Sequence, residues 1–289
     1  FSISISLTPE GFANRDEIIS DIFNTIRLIE TQGIDRWRFD ELKVTSDANF
    51  KFEEESDPQN VVTYLSQKLH SVPPQQLFTR GRLLKQFDGL LIKDILSWLT
   101  PERMLVRVTA PEIEPTETTT YYPTSIHRFG LGEQRLKAFE RARNETSDIV
   151  RLPEPNPFIQ TPDAPLPDTR KATIETQPHV LFLSEGSTGY VLTENRFSQP
   201  KSDLYIRLRT PLASNSPEAS IMSDLLADAI NEHFSSLSYA AALAGAGFSA
   251  QTSQSGITLQ FSGYHQSVVP LVNQVLDRFP IPLIDESTW

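Results

Sequence analysis

The side chains best suited to metal chemistry are scattered along this sequence. Its five histidines, His70, His127, His179, His233 and His265, include no two within five residues of each other. A helical zinc site of the H-x-x-E-H kind needs imidazoles four apart, because that spacing projects both from one helical face toward one ion. The nearest approach is Ala229-Ile230-Asn231-Glu232-His233, which keeps one carboxylate and one imidazole and lacks the first histidine. Asp224, Asp228 and Glu232 stand at i, i+4 and i+8, a carboxylate stripe beside His233. Such a stripe could hold a divalent ion weakly, but it is also how a solvated helix face looks. We take the second reading. No residue is assigned as catalytic or metal-ligating, and no substrate contact is assigned.

Other candidates are weaker. Gly186-Ser187-Thr188-Gly189 lacks the lysine and following helix of a phosphate cradle and reads as a hairpin turn. Gly130-Leu131-Gly132 reads as a turn before a helix. Ser184 and Glu185 have no neighbouring histidine for a nucleophilic triad. Arg36, Arg38 and Glu41 flank Trp37 as a charged helix surface. Arg207 and Arg209 alternate with Ile206 and Leu208, so one face of a strand is basic.

These residues sit in a chain that changes character twice. Residues 1–110 read strand, four helices, strand. Phe1, Ile3, Ile5 and Leu7 alternate with Ser2, Ser4 and Ser6, the period of a half-buried strand. Asn14 with Glu17 resembles a capping box ahead of the stripe Ile19, Ile22, Phe23, Ile26 and Ile29, which Gly33 closes. A second helix is expected over about 35–52. Asp57-Pro58 should cap a third, with Val61, Val62, Leu65 and Leu69 facing the core. A fourth, about 82–99, should bury Leu84, Phe87, Leu91, Ile95 and Trp98. Met104–Thr109 should return as a strand.

Between 111 and 178 lie 10 of the 21 prolines, a spacing that favours stiff extended backbone. We read 111–170 as a connector, with one helix at about 132–144. Leu152, Phe158 and Ile159 are apolar, so the connector should pack against its neighbours. Residues 171–289 read as the start of an α/β layer. Strands are expected at 179–183, 190–194, 204–210 and 257–263. One long helix should open at Ser216-Pro217 and end in Ala240–Gly247, and a closing helix should cover 267–278. The fold class expected is α+β: two partial layered domains of antiparallel-rich sheet flanked by helices.

Composition narrows the partners. A net charge of -11 without a compensating basic cluster disfavours nucleic acid and anionic membrane surfaces. No window is apolar enough to span a membrane. Without cysteine there are no disulfides and no thiol chemistry. The chain opens inside a strand pattern without Met, and a helix pattern runs toward Trp289, so a piece of a longer polypeptide is expected.

Four phrases carry a resemblance: F-S-I-S-I-S-L-T-P-E-G at Phe1–Gly11, G-I-D-R-W-R-F-D-E-L at Gly33–Leu42, L-P-E-P-N-P-F-I at Leu152–Ile159, and S-Y-A-A-A-L-A-G at Ser238–Gly245 with S-G-Y at Ser262–Tyr264. In order and spacing they resemble the insulinase/pitrilysin family of zinc metallopeptidases. Two features depart from it: extra residues around Glu232–Ser236, and Ala241-Ala242 where a proline or acidic residue is common.

The resemblance implies two clamshell halves, each of two homologous α/β domains, around a peptide-degrading chamber. It implies that 1–110 is the C-terminal part of the second domain, 111–170 the linker, and 171–289 the N-terminal part of a catalytically inactive third. Zinc is then expected in the intact protein and no cofactor in this stretch. The implied partners are peptide substrates and the flanking domains of the same polypeptide. A periplasmic location follows from the bacterial members, with cytoplasm the alternative. The alternative function is a non-enzymatic binding or assembly protein that retains the fold. Open sheet edges at Phe1–Leu7 and after His179 should make the chain self-associate.

Overall fold

The computed structural model describes residues 1–145, 147–159, 177–194 and 199–279. The prolines at 162, 165 and 167 and the stretch 281–289 lie outside the described residues. In chain order the helices are α1 (Pro9–Ala13), α2 (Arg15–Gln32), α3 (Arg36–Lys51), α4 (Pro58–Lys68), α5 (Gly89–Trp98), α6 (Glu133–Asn144), α7 (Pro217–His233), α8 (Ser235–Leu243) and α9 (His265–Leu276). The strands are β1 (Glu117–Thr118), β2 (Ser125–Ile126), β3 (His179–Ser184), β4 (Ser187–Val191), β5 (Lys201–Arg209), β6 (Ala246–Ser253) and β7 (Gly256–Tyr264). Among the described residues every strand pairing is antiparallel, so the fold is α+β. Two compact units form, each discontinuous in sequence: Phe1–Arg36 with Gln86–Glu154, and Trp37–Lys85 with the chain from Pro155 onward.

In the first unit, α2 presents the isoleucine stripe read from the sequence. Phe23 and Ile26 are buried with Leu96 of α5 and Phe139 and Ala142 of α6, and the Phe23 and Phe139 rings lie 6.3 Å apart. Three expectations change here. Asn14 makes no side-chain cap; its backbone carbonyl accepts from Glu17 N–H instead. The fourth helix begins at Gly89, where the Asp88 carboxylate accepts from Leu91 N–H. Its buried face is Ile92, Leu96 and Leu99, while Leu84, Leu91, Ile95 and Trp98 stay exposed. The observed stripe lies one position on from the expected one, about 100° around the helix. Finally, Phe1–Leu7 and Met104–Thr109 form no strand ladder. Met104, Val106 and Val108 keep a period-two burial, but alternation sets only a side-chain pattern and a strand also needs a bonded neighbour.

The second unit is built on the sheet β5-β7-β6. Inward residues alternate as expected, with Ile257, Leu259 and Phe261 buried on β7 and Ala246 and Ala250 on β6. Phe261 lies opposite Leu204 on one side and Phe248 on the other. α7, α8 and α9 cover this face with Ile230, Phe234, Ala241, Leu271 and Val275. Tyr205, Arg207, Thr258, Gln260 and Gln251 make the other face polar. Ser216 caps α7 by accepting from Ala219 N–H at 3.1 Å.

The single long helix expected after Pro217 is broken at Phe234. That residue leaves helical geometry (φ -98°, ψ 10°), its ring is wholly buried against Phe248 and Phe279, and α8 restarts at Ser235. On α4, Asp57 caps as expected, but Val62 and Leu69 are exposed. β3 and β4 form a hairpin around Gly186 that is not hydrogen-bonded to the three-stranded sheet.

Candidate functional site

The carboxylate stripe was the leading chemical candidate. Asp224, Asp228, Glu232 and His233 are all exposed on α7. Asp224 accepts a hydrogen bond from the Thr252 hydroxyl of β6, and the His233 imidazole stands edge-on to Phe234 at 4.8 Å. Among the described residues no three His, Asp or Glu side chains converge on a point that could hold a metal ion. The donors present therefore do not fit zinc. The other histidines lie apart: His127 Nδ1 is 3.0 Å from the Thr116 hydroxyl, and His265 Nδ1 is 2.9 Å from the Ser202 hydroxyl.

The glycine-rich candidates are turns. Gly186 has φ +82° at the β3–β4 reversal, where the Ser184 and Ser187 hydroxyls lie 2.6 Å apart. Gly132, with φ +77°, precedes α6. Arg207 and Arg209 are exposed on β5, as the alternation predicts. Arg38 stacks over Trp37 at 4.2 Å, and Glu41 has a different role.

Glu41 belongs to a junction that chemistry-led reading of the sequence missed. Its carboxylate accepts from the backbone N–H of Asn156 at 2.9 Å. The Asn156 amide donates to the carbonyl of Ala240 in the last turn of α8 at 2.7 Å. Its side-chain oxygen accepts from Phe158 N–H at 3.0 Å, an Asx-turn, and its carbonyl accepts from Ile159 N–H at 3.2 Å. Every polar group of Asn156 is thus used. The last four carbonyls of a helix have no partner within it, and here the connector supplies one. Directly after this turn Phe158 enters the core, and the buried Ser267 hydroxyl lies within hydrogen-bond distance of the carbonyls of Phe158 and Ala244, at 3.0 and 3.1 Å.

A second junction closes the far end of α3. Tyr264 donates to Asn49 at 3.2 Å, and its ring lies 6.1 Å from that of Phe52. Lys201 meets Glu54 at 2.6 Å, and Gln199 donates to the carbonyl of Phe52. Burial pushes the Tyr264 phenol above its ordinary range; Lys201 opposes that rise and Glu54 adds to it. The Glu54 carboxyl is held below its usual range by its hydrogen bond to Lys201. The signal for both junctions was in the quoted phrases: Glu41, Asn156, Ala240 and Tyr264 each come from one of them.

A profile of the middle or third domain of peptidase M16 matches residues 50–287. Insulin-degrading enzyme of Homo sapiens is 27% identical over 295 residues, covering 100% of this chain and 28% of the human protein. Protease 3 of Escherichia coli (strain K12) is 26% identical over 281 residues, covering 96% of this chain and 28% of that protein. The crystal structure of pitrilysin superposes with a TM-score of 0.77 at 23% identity, over 98% of this chain and 30% of that one. The chain thus spans little more than a quarter of these two curated relatives. The profile accounts for most of its residues, and the protein belongs to the peptidase M16 family, in its middle region.

Proposed function

We propose that this chain is the non-catalytic middle part of a larger zinc metalloendopeptidase, forming chamber wall and the connector between its halves. One observation carries the reading: the family's middle domain is matched by a sequence that contains no H-x-x-E-H. Along the chain, 1–110 would complete the second domain, 111–170 would link, and 171–289 would begin the third. Zinc would be held by residues outside this stretch. The polar sheet face with Tyr205, Arg207 and Arg209 would meet peptide carboxylates, since guanidinium pairs with them in two-pronged fashion. The flanking domains of the same polypeptide would be its permanent partners. Among the described residues no helix is long and apolar enough to cross a membrane. A periplasmic location rests on the resemblance to bacterial members.

The test is direct. The purified chain, dialysed against chelator-free buffer, is expected to carry far less than one zinc per chain and to cleave no peptide. One zinc per chain, with cleavage lost in His233→Ala, would overturn the reading. A non-enzymatic binding or assembly protein is the competing reading. Sequence upstream of Phe1 in the same frame separates the two: an intact H-x-x-E-H supports the peptidase, and a degenerate one supports the binding protein.

A further inference from the structure

We propose that Asn156 is a positioning residue that locks the connector residues 155–159 to both α3 and α8. This makes Trp37–Lys85 and the β5-β7-β6 layer one rigid body. The inference stands on this unit's geometry and does not depend on the peptidase reading. Glu41 on α3 holds the backbone N–H of Asn156, and Ala240 on α8 holds its side-chain amide. One residue of an irregular segment therefore bridges two helices far apart in sequence.

A single tether would leave α3 free to pivot. The second junction removes that freedom: Asn49 is held by Tyr264, eight residues and so about 12 Å along the helix axis from Glu41. The two tethers differ in strength. The Lys201–Glu54 pair beside Asn49 is exposed, and such pairs contribute little. The Asn156 bonds are part-buried, and one is made to a carboxylate, which makes it stronger than a neutral bond. Phe158, two residues on, is 1% exposed in the sheet core and fixes the register. Residues 155–159 are therefore held against this unit and do not act as a hinge within it.

Asparagine is the residue this arrangement requires. Aspartate could keep the Asx-turn but has no donor for Ala240, and alanine loses both side-chain bonds. Hydrogen exchange on the full chain, followed by mass spectrometry, tests the idea. Asn156→Ala loses both side-chain bonds and with them the turn that aims the backbone N–H at Glu41, so exchange is expected to rise about tenfold at the end of α8 and by a smaller factor in α3. Asn156→Asp should raise it at the end of α8 while α3 stays protected, and Glu41→Ala should do the reverse. Should Asn156→Ala unfold the unit, the two milder variants still decide the matter. A rise confined to 153–159, or Asn156→Asp leaving the end of α8 unchanged, would overturn the proposal.

Discussion

Arg143 on α6 grips Glu30 on α2 through a two-pronged ion pair, with nitrogen–oxygen distances of 2.7 and 2.5 Å. The same guanidinium donates to the carbonyls of Leu96 and Leu99 at the end of α5, at 3.2 and 3.1 Å. One side chain thus joins three helices of the first unit and satisfies the Leu99 carbonyl, while the Leu96 carbonyl it shares also accepts from Leu99 N–H. The hydrogen bond from Arg143 holds the Glu30 carboxyl below its usual range, against the opposing effect of burial. A carboxyl depressed in the folded state stabilises above its unfolded pKa, and that stability is lost as pH falls through the folded value. Arg143→Ala is expected to cost about 2–4 kcal/mol near neutral pH, because Glu30 keeps only Arg27, at 3.8 Å, and the Leu99 carbonyl loses its partner. It should also flatten the acid side of the stability profile through the carboxylate range, where Glu30 takes up its proton in the unfolded chain before it does so in the folded one. Arg143→Lys should restore little, because a lysine cannot fork. Urea unfolding at several pH values reads both effects, and an unchanged acid limb would sink the assignment.

Glycine matters most where backbone meets backbone. Gly256 opens β7 at φ +135°, and a Cβ there would lie 2.0 Å from the carbonyl oxygen of Leu208 on the neighbouring strand. At Gly245, with φ +74°, the clash would be with the Tyr264 ring at 2.6 Å, and a ring can rotate away. Gly256→Ala should therefore lower stability more than Gly245→Ala, by about 3 kcal/mol or more against about 1–2. Equal midpoints in thermal unfolding would contradict this ordering.

How much of this could be read in advance is clearest at the helix starts. Asp57-Pro58 and Ser216-Pro217 were legible because the cap bonds within its own first turn, and both cap as expected. Asn14 had the right neighbours but sits where Thr8 has already opened α1, so α2 begins from a helical turn in progress. The buried face of α5 was misread because several apolar residues lie around it, and which of them meet α2 and α6, here Ile92, Leu96 and Leu99, is a tertiary choice that local periodicity leaves open. The break at Phe234 comes from a ring entering the tertiary core, which local periodicity cannot register. Absence of an H-x-x-E-H could be read directly from the sequence. The Asn156 junction could not, because its partners are 115 and 84 residues away.

That contrast gives a paired test of capping. Asp57 accepts from the N–H groups of Gln59 and Asn60 at 3.0 and 3.1 Å, whereas Asn14 accepts from none with its side chain. Asp57→Ala should cost about 1 kcal/mol and fray α4, while Asn14→Ala should change stability by less than about 0.5 kcal/mol. Chemical denaturation with exchange at the first turn of each helix measures both. A cost at Asn14 equal to that at Asp57 would show that the local sequence, not the side-chain bond, sets the cap.

Exposed apolar side chains beside unpaired backbone predict how the chain behaves in solution. In the first unit, Phe1–Leu7 and Met104–Ala110 line a cleft of about 900 Å³ over Ile18, Ile19 and Ile22 of α2. Among the described residues, 1–7 make no backbone–backbone hydrogen bond, so their donors and acceptors stay available to another strand. No charged side chain occurs before Glu10 to discourage such pairing. The β3–β4 hairpin offers a second surface, with Val180, Leu181, Phe182 and Leu183 between 51% and 77% exposed on a two-stranded sheet. Two strands alone are marginal in water and gain from further partners. The purified chain should therefore self-associate at concentrations on the order of tens of micromolar. The association should survive high salt, since apolar contacts are not screened. Ile3→Lys with Ile5→Lys should weaken it through the cleft, and Leu181→Lys with Leu183→Lys through the hairpin. Circular dichroism checks that each variant stays folded. A single species at the monomer mass of 32.6 kDa across the full concentration range in sedimentation equilibrium would refute it.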